Sequence, residues 1–185
     1  TKEALDLLND EVARFEHLVQ DLLDLSRSDS GPMENDLVNI EELVKATLKL
    51  TENDASLEVI GTARGALVMG DKRRLAQVLD NLLRNAQKYG GGVTRITVAP
   101  NGGKIEIAVE DSGPGVAPSE RSLVFERFTR GAAARKRGAG DGAGLGLALV
   151  DEHARRHGGN ARVEGKSDGE PGARFVITLP RAGRR

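Results

Sequence analysis

In the segment Leu79-Asp80-Asn81-Leu82-Leu83-Arg84-Asn85-Ala86-Gln87-Lys88-Tyr89, apolar and polar positions separate onto two sides of one helix. Leu75, Val78, Leu79, Leu82 and Ala86 form a stripe for burial, whereas Asn81, Asn85 and Lys88 recur at steps of four and three and share a second face. Amide and ammonium groups in register beside a core helix need a polar partner. A metal-bound polyphosphate supplies one: carboxamide oxygens are hard ligands suited to Mg2+, and a lysine neutralises phosphate oxygens as a point charge.

Working outward, Asp71 is placed to cap this helix and Gly90-Gly91-Gly92 to end it. Upstream, residues 39–51 read as an amphipathic helix through Ile40, Leu43, Val44 and Leu48, followed by strand-like segments at 57–60 and 66–69. Downstream come two strands, at 95–98 and 104–110, joined at Asn101-Gly102 by a hairpin signal. The second alternates strictly and is expected to keep one wet face. A further hairpin is expected between 161–164 and 174–179. Helices alternating with hairpins predict an α+β fold, a two-layer sandwich of a mostly antiparallel mixed sheet with helices on one face.

At 185 residues the chain is long enough for one such core and a smaller element. The formal net charge of −1 makes no electrostatic case for nucleic acid or membrane as a partner. The absence of cysteine excludes disulfides and thiolate metal sites. The smaller element is expected at 1–28, where Leu5, Leu8, Val12, Phe15, Val19 and Leu22 step by three and four as a heptad-like seam that needs another helix against it. Residues 29–37 read as a linker, 38–181 as the main domain and 182–185 as a tail. The chain opens in the middle of helical sequence, which is expected of a piece of a longer protein.

Three further motifs follow the amide-bearing helix. Asp111-Ser112-Gly113-Pro114-Gly115 ends the alternating strand; alone it reads as an Asx turn, but its carboxylate can also accept a hydrogen bond from an exocyclic amine such as adenine N6. Phe125-Glu126-Arg127-Phe128 sits in a long basic segment between Gly113 and Gly146, where two of the chain's four phenylalanines pin the loop. Segments this long are commonly lids, and Arg121, Arg127, Arg130, Arg135, Lys136 and Arg137 give this one a phosphate-facing charge. Gly142-Ala143-Gly144-Leu145-Gly146-Leu147 then opens a helix, where free N–H groups and the positive end of the dipole attract anions.

In this order and spacing the four motifs resemble the N, G1, F and G2 boxes of the ATP-binding catalytic domain of sensor histidine kinases, in the superfamily that includes gyrase, Hsp90 and MutL. His157-Gly158-Gly159 and Gly172-Ala173-Arg174-Phe175 resemble the family's closing pattern. The resemblance implies a Bergerat-type fold that binds ATP and Mg2+ and transfers the γ-phosphoryl to a histidine, for relay to a response-regulator aspartate in a two-component system. It implies that Asn85 coordinates Mg2+, Asn81 and Lys88 support the phosphates, Tyr89 packs on adenine and Asp111 reads N6. The remaining nucleotide contacts would come from Gly113, Gly115, Phe125, Arg127 or Arg130, and Gly142, Gly144, Leu145, Gly146 and Leu147.

Hydrolysing members of the superfamily resemble one another in placing a glutamate, the general base for water, four residues before the metal-binding asparagine. Here Asn81 stands there, and a neutral amide cannot take up a proton. Residues 1–28 resemble the second helix of the kinase dimerisation hairpin, so the implied partners are the chain's own dimerisation helix in a homodimer and a response regulator. The implied setting is a cytoplasmic domain of a membrane-anchored parent. No histidine here has the context of the acceptor: His17 is followed by Leu18-Val19-Gln20, and His153 and His157 are expected in capping or surface roles. The acceptor is therefore expected on a helix preceding this piece. A hydrolysing ATPase module and a degenerate nucleotide-binding interaction domain remain as alternatives.

Overall fold

The computed structural model describes residues 32–129, 144–166 and 168–183, together with 2, 4, 5, 7–9, 11, 12, 15, 16, 19, 22 and 23. The described positions between 2 and 23 are helical. Their large apolar side chains are solvent-exposed, from Val19 at 37% to Leu7 at 67%, so nothing in the described chain covers that seam. Among the described residues no helix is long and apolar enough to cross a membrane.

The main domain begins with β1 (Asp36–Asn39), which leads directly into α1 (Ile40–Leu50). Asn39 caps α1, its side chain accepting from the Glu42 N–H at 3.2 Å. Then come β2 (Ser56–Val59), a 3-10 turn at Gly61–Ala63, β3 (Leu67–Gly70) and α2 (Lys72–Tyr89). Strands β4 (Val93–Asn101) and β5 (Lys104–Asp111) form the expected hairpin, and α3 (Gly146–Arg156), β6 (Asn160–Gly165) and β7 (Ala173–Pro180) close the domain. The main sheet runs β2-β4-β5-β7-β6, antiparallel throughout except for the parallel pair β2–β4. The sequence reading omitted β1, which pairs antiparallel with β3 in a separate two-stranded sheet. Four residues spent pairing with an equally short partner leave too brief a period-2 signal to see.

Helices cover one face of the main sheet. The stripe expected on α2 is the buried one: Leu75, Val78, Leu79, Leu82 and Ala86 are all nearly inaccessible. The four larger side chains meet Ile96, Val98, Ile105, Ile107, Val109, Phe175, Ile177 and Leu179 in a single core with the apolar sides of α1 and α3. The other face corrects one expectation. β5 is wet on its second face only at its start: Lys104 is exposed and Glu106 partly covered, whereas Ala108 and Glu110 are buried. Guanidinium groups from other strands of the sheet roof that face: Arg174 reaches Glu110 at 3.2 Å, Arg95 reaches Glu110 at 3.3 Å and Arg162 of β6 reaches past β7 to Glu106 at 2.9 Å. Arginine stems thus shield Ala108 and Val176 while their heads neutralise the carboxylates. Burial pushes the Glu106 carboxyl up, but hydrogen bonding and charge from Arg162, with Asn101 and Arg174, bring it net below the usual range.

Candidate nucleotide-binding site

The site starts from how α2 is anchored. Asp71 accepts the Arg74 N–H at 3.0 Å, and its other oxygen lies 3.2 Å from the Arg74 guanidinium, both side chains being almost fully buried. This fixes the rotation of α2 and so the direction of its polar face. Asn81, Asn85, Lys88 and Tyr89 lie half-buried along that face, with the Lys88 ammonium 5.6 Å from the centre of the Tyr89 ring. Asn81 abuts the start of α3: a Cβ placed on Gly146 would stand 3.5 Å from its Oδ1. The Asn81 Nδ2 is buried and has no acceptor among the described residues. A buried amide donor left without a partner costs on the order of 1–3 kcal/mol unless something fills its hydrogen bond. The neighbouring first turn of α3 likewise has no side-chain cap from its N-cap residue, Leu145.

Asp111 ends β5 beside the C-terminal end of α2, where Gly90 packs on it. Its Oδ1 accepts from the Gly113 N–H at 3.0 Å, which is the Asx turn, and from the Ala173 N–H at 2.9 Å. Its Oδ2 takes no hydrogen bond among the described residues. Burial pushes the Asp111 carboxyl above its usual range, and the Ala173 and Gly113 hydrogen bonds and the Lys166 charge oppose the rise without reversing it. The backbone packs tightly around this carboxylate. A Cβ on Gly90 would fall 2.4 Å from the Asp111 Cγ, and one on Gly113 would fall 2.6 Å from the Gly90 Cα. Gly172, at φ +141°, brings its backbone so close that a Cβ would stand 2.1 Å from the Asp111 carbonyl oxygen. Gly115 packs on Gly172 in the same cluster.

The phenylalanine motif and the glycine motif meet at one residue. Gly144, at φ +72°, accepts the Phe128 N–H at 3.0 Å. Phe125 is pinned edge-on to Phe175 of β7, with ring centres 6.5 Å apart and planes at 78°. Phe128 stays 65% exposed in the left-handed region, at φ 62°. The Arg127 guanidinium donates to Glu152 of α3 at 3.2 Å, which ties the motif to the helix rather than leaving it over open space. Leu145 is buried with Leu149, while Leu147 is half-buried against the main core. Arg130 and Gly142, with Arg135, Lys136 and Arg137 of the expected lid, lie outside the described residues, as does His17.

The structure corrects the expectation for the other two histidines. His153 and His157 are buried at 2% and 7% exposure. His157 does terminate α3, but its ring faces inward, as does that of His153, whose Nε2 lies 3.2 Å from the Gln77 Oε1 of α2. The sequence reading missed Lys166 and Glu152, and it read Gly90 only as a helix end, without its contact to Asp111. Gly172-Ala173 had been visible as a motif without a role, and Lys166 and Glu152 carry no local pattern.

Among the described residues no group of three or more His, Cys, Asp or Glu side chains could hold a metal alone. A hard cation here would draw most of its oxygens from a polyphosphate and water, with one carboxamide from the protein, which fits Mg2+ and Asn85. A shallow cleft between α1 and β2, lined by Glu41, Lys45, Leu48, Leu57, Val59 and Arg64, includes none of these residues.

An open α+β layer whose amide face, buried carboxylate and uncapped helix start converge in this way is a nucleotide-binding ATPase-type domain. Residues 70–183 match the family described as histidine kinase-, DNA gyrase B-, and HSP90-like ATPase, and the chain belongs to it. The signal transduction histidine-protein kinase/phosphatase MprB of Mycolicibacterium paratuberculosis is 38% identical over 192 residues, covering 97% of this chain and 35% of that protein. The chain therefore spans about a third of the length of the curated relatives it matches. Among solved structures, mycobacterial sensor histidine kinase MprB superposes with a TM-score of 0.64 at 30% identity, over 81% of this chain and 99% of that one. Full-length ShkA in complex with AMPPNP gives a TM-score of 0.74 at 27% identity, over 99% of this chain and 39% of that one. The domain is thus an ATP-binding domain of the kind that sensor histidine kinases carry.

Proposed function

We propose that this chain binds Mg2+-ATP between α2 and the start of α3 and presents the γ-phosphoryl group to a histidine supplied outside the main domain. The observation that carries this reading is the buried Asn81 Nδ2, which has no acceptor of its own and adjoins the uncapped first turn of α3. A phosphate oxygen there satisfies both donors at once. Asn85, one turn further along α2, holds Mg2+, which supplies charge neutralisation for the polyphosphate, and Lys88 adds a second positive group. Asp111 accepts from the adenine amino group through Oδ2, and Tyr89 packs against the ring.

Transfer rather than hydrolysis follows from position 81, where the superfamily's hydrolysing members resemble one another in having a glutamate. An amide leaves water without a base, and phosphoryl transfer relies mainly on positioning and electrostatics. His153 and His157 are too deeply buried to serve as acceptors. The exposed seam of residues 2–23 supports its proposed role as a dimerisation helix, with an acceptor-bearing helix and a response regulator as partners in a membrane-anchored parent.

The test supplies the dimerisation hairpin of a relative in trans with Mg2+-ATP and looks for acid-labile, base-stable phosphate on protein. Phosphohistidine that disappears with Asn85→Ala is expected. ATP binding without any phosphohistidine, or multiple-turnover phosphate release with no acceptor present, overturns the transfer reading.

A further inference from the structure

We propose that the cleft between α1 and β2 is a docking site for a short extended segment of a partner protein, one with alternating apolar side chains and an acidic residue, which adds to the main sheet as a strand beside β2. The backbone makes the first case. β2 stands at the edge of the main sheet and, among the described residues, pairs only with β4. In that parallel register the Ile60 N–H donates to the Val98 carbonyl at 2.8 Å, so alternate residues, Ser56, Glu58 and Ile60, turn their peptide groups toward β4. Leu57 and Val59 lie between them. Their N–H and C=O groups point away from the sheet and have no partner among the described residues.

The same two residues line the cleft. Leu57 and Val59 are half-buried and share with Leu48 of α1 a space of about 370 Å³, which sets an apolar floor beside a row of free backbone groups. That combination suits an added strand, whose main-chain hydrogen bonds supply affinity while pockets for every second side chain supply specificity. β2 spans only Ser56–Val59, about 13 Å at roughly 3.3 Å per residue, so it accepts a segment of about four or five residues.

Charge decides the kind of segment. Two cations, Lys45 and Arg64, line the cleft against one carboxylate, Glu41. Glu41 is already engaged, by the Lys45 ammonium at 2.6 Å and the Gly65 N–H at 3.4 Å. Arg64 is exposed and has no ion pair among the described residues. Glu58, the acidic residue of β2, turns to the other face of the strand, with Arg95 at 4.0 Å. A second copy of this edge would bring another Lys45 and Arg64 to the same rim, so the charge opposes self-pairing and matches an acidic residue on a different protein.

Amide NMR of the isotope-labelled whole chain tests this, by titration with the capped peptide Thr-Val-Thr-Val-Thr-Glu-Thr and with its reversed sequence, because an added strand can run in either direction. The Leu57 and Val59 amide signals are expected to shift and to saturate with a Kd of about 0.1–1 mM, the range of a small, solvated contact. N-methylation of the valines or, for a parallel strand, of the threonines that follow them is expected to abolish the shifts. Glutamate→lysine in the peptide and Arg64→Glu in the chain are each expected to weaken binding about tenfold, and the two together to restore most of it. Signals that stay in place up to about 5 mM peptide, shifts indifferent to both patterns of N-methylation, or an affinity unchanged by either charge reversal overturns the proposal. So does a concentration-dependent shift of the same two amides without peptide, which would make the occupant a second copy. No nucleotide is present in the experiment, so its outcome is independent of the Mg2+-ATP reading.

Discussion

The Nε2 of His157 accepts the backbone N–H of Asp71 at 3.0 Å, and its Nδ1 donates to the carbonyl of His153 at 2.6 Å. The two bonds fix the ring tautomer and join the end of α3 to the cap of α2. The nucleotide-facing start of α3 and the amide face of α2 are therefore parts of one braced pair. Gly70 makes room for the ring, since a Cβ there would fall 2.3 Å from the His157 Cδ2.

Replacing His157 with alanine strands the buried Asp71 N–H and opens a cavity beside Gly70. The loss expected is about 2–4 kcal/mol, from one unsatisfied donor plus the missing ring. Urea unfolding of the variant against the native chain measures it, and a loss within about 0.5 kcal/mol, the size of an ordinary surface change, contradicts the bracing role.

His153 makes stability depend on pH. Burial, reinforced by Arg74, His157 and Arg156 against an opposing Glu152, lowers its pKa from 6.5 to about 4. The unfolded chain therefore binds a proton between those values that the folded chain refuses, so stability is complete above about pH 6.5 and declines as pH falls toward 4. The loss attributable to this group approaches about 3 kcal/mol at the acid end. Unfolding midpoints across this range are expected to fall more steeply for the native chain than for His153→Gln, which cannot take up that proton.

The layer architecture, the hairpins and the face of α2 were legible in the sequence because each rests on a local period. Leu75 through Ala86 step at helical spacing, and the residues around Asn101-Gly102 alternate at strand spacing. Contacts fixed at long range were not legible. His153 and His157 looked like surface residues because polar side chains on a helix usually are; their partners, Gln77 and Asp71, lie far away in sequence. Glu106 and Glu110 looked solvated for the same reason, their arginines being contributed by other strands. In the site, Asp111 announced itself through its glycines, whereas Lys166 and Glu152 could be found only once the chain was folded.

Asn81 offers a contrast between stability and binding. Its Nδ2 is buried without an acceptor, so Asn81→Ala removes an unsatisfied donor and is expected to leave nucleotide-free stability within about 0.5 kcal/mol of native or above it. The same variant forfeits a hydrogen bond to charged phosphate, and ATP affinity is expected to drop by about 10–100-fold. Asn81→Asp should bind still more weakly, because it sets a negative charge against the phosphates. Thermal unfolding and calorimetry on the same samples distinguish this from a purely structural asparagine, which would lose stability first and affinity only in consequence.

The roof of arginines over β5 predicts an unequal response to deleting charges. Glu110 is 6% exposed at its side chain and lies between Arg174 at 3.2 Å and Arg95 at 3.3 Å; Arg174 also holds Glu164 at 2.6 Å. Arg174→Met keeps the apolar stem over the sheet but leaves a buried carboxylate facing the half-exposed Arg95 alone. Breaking a buried pair from one side is costly, here about 2–3 kcal/mol with the second arginine remaining. Lys45→Met also breaks an ion pair, the 2.6 Å contact with Glu41, but that lysine is 61% exposed and solvent screens the pair, so no resolvable change in the urea midpoint is expected. The double variant Glu110→Gln, Arg174→Met removes the stranded charge together with its partner. It is expected to recover most of the single-variant loss, because the penalty comes from the uncompensated carboxylate and not from the absent attraction. Additive losses in urea unfolding would show instead that Arg174 stabilises the sheet by packing alone.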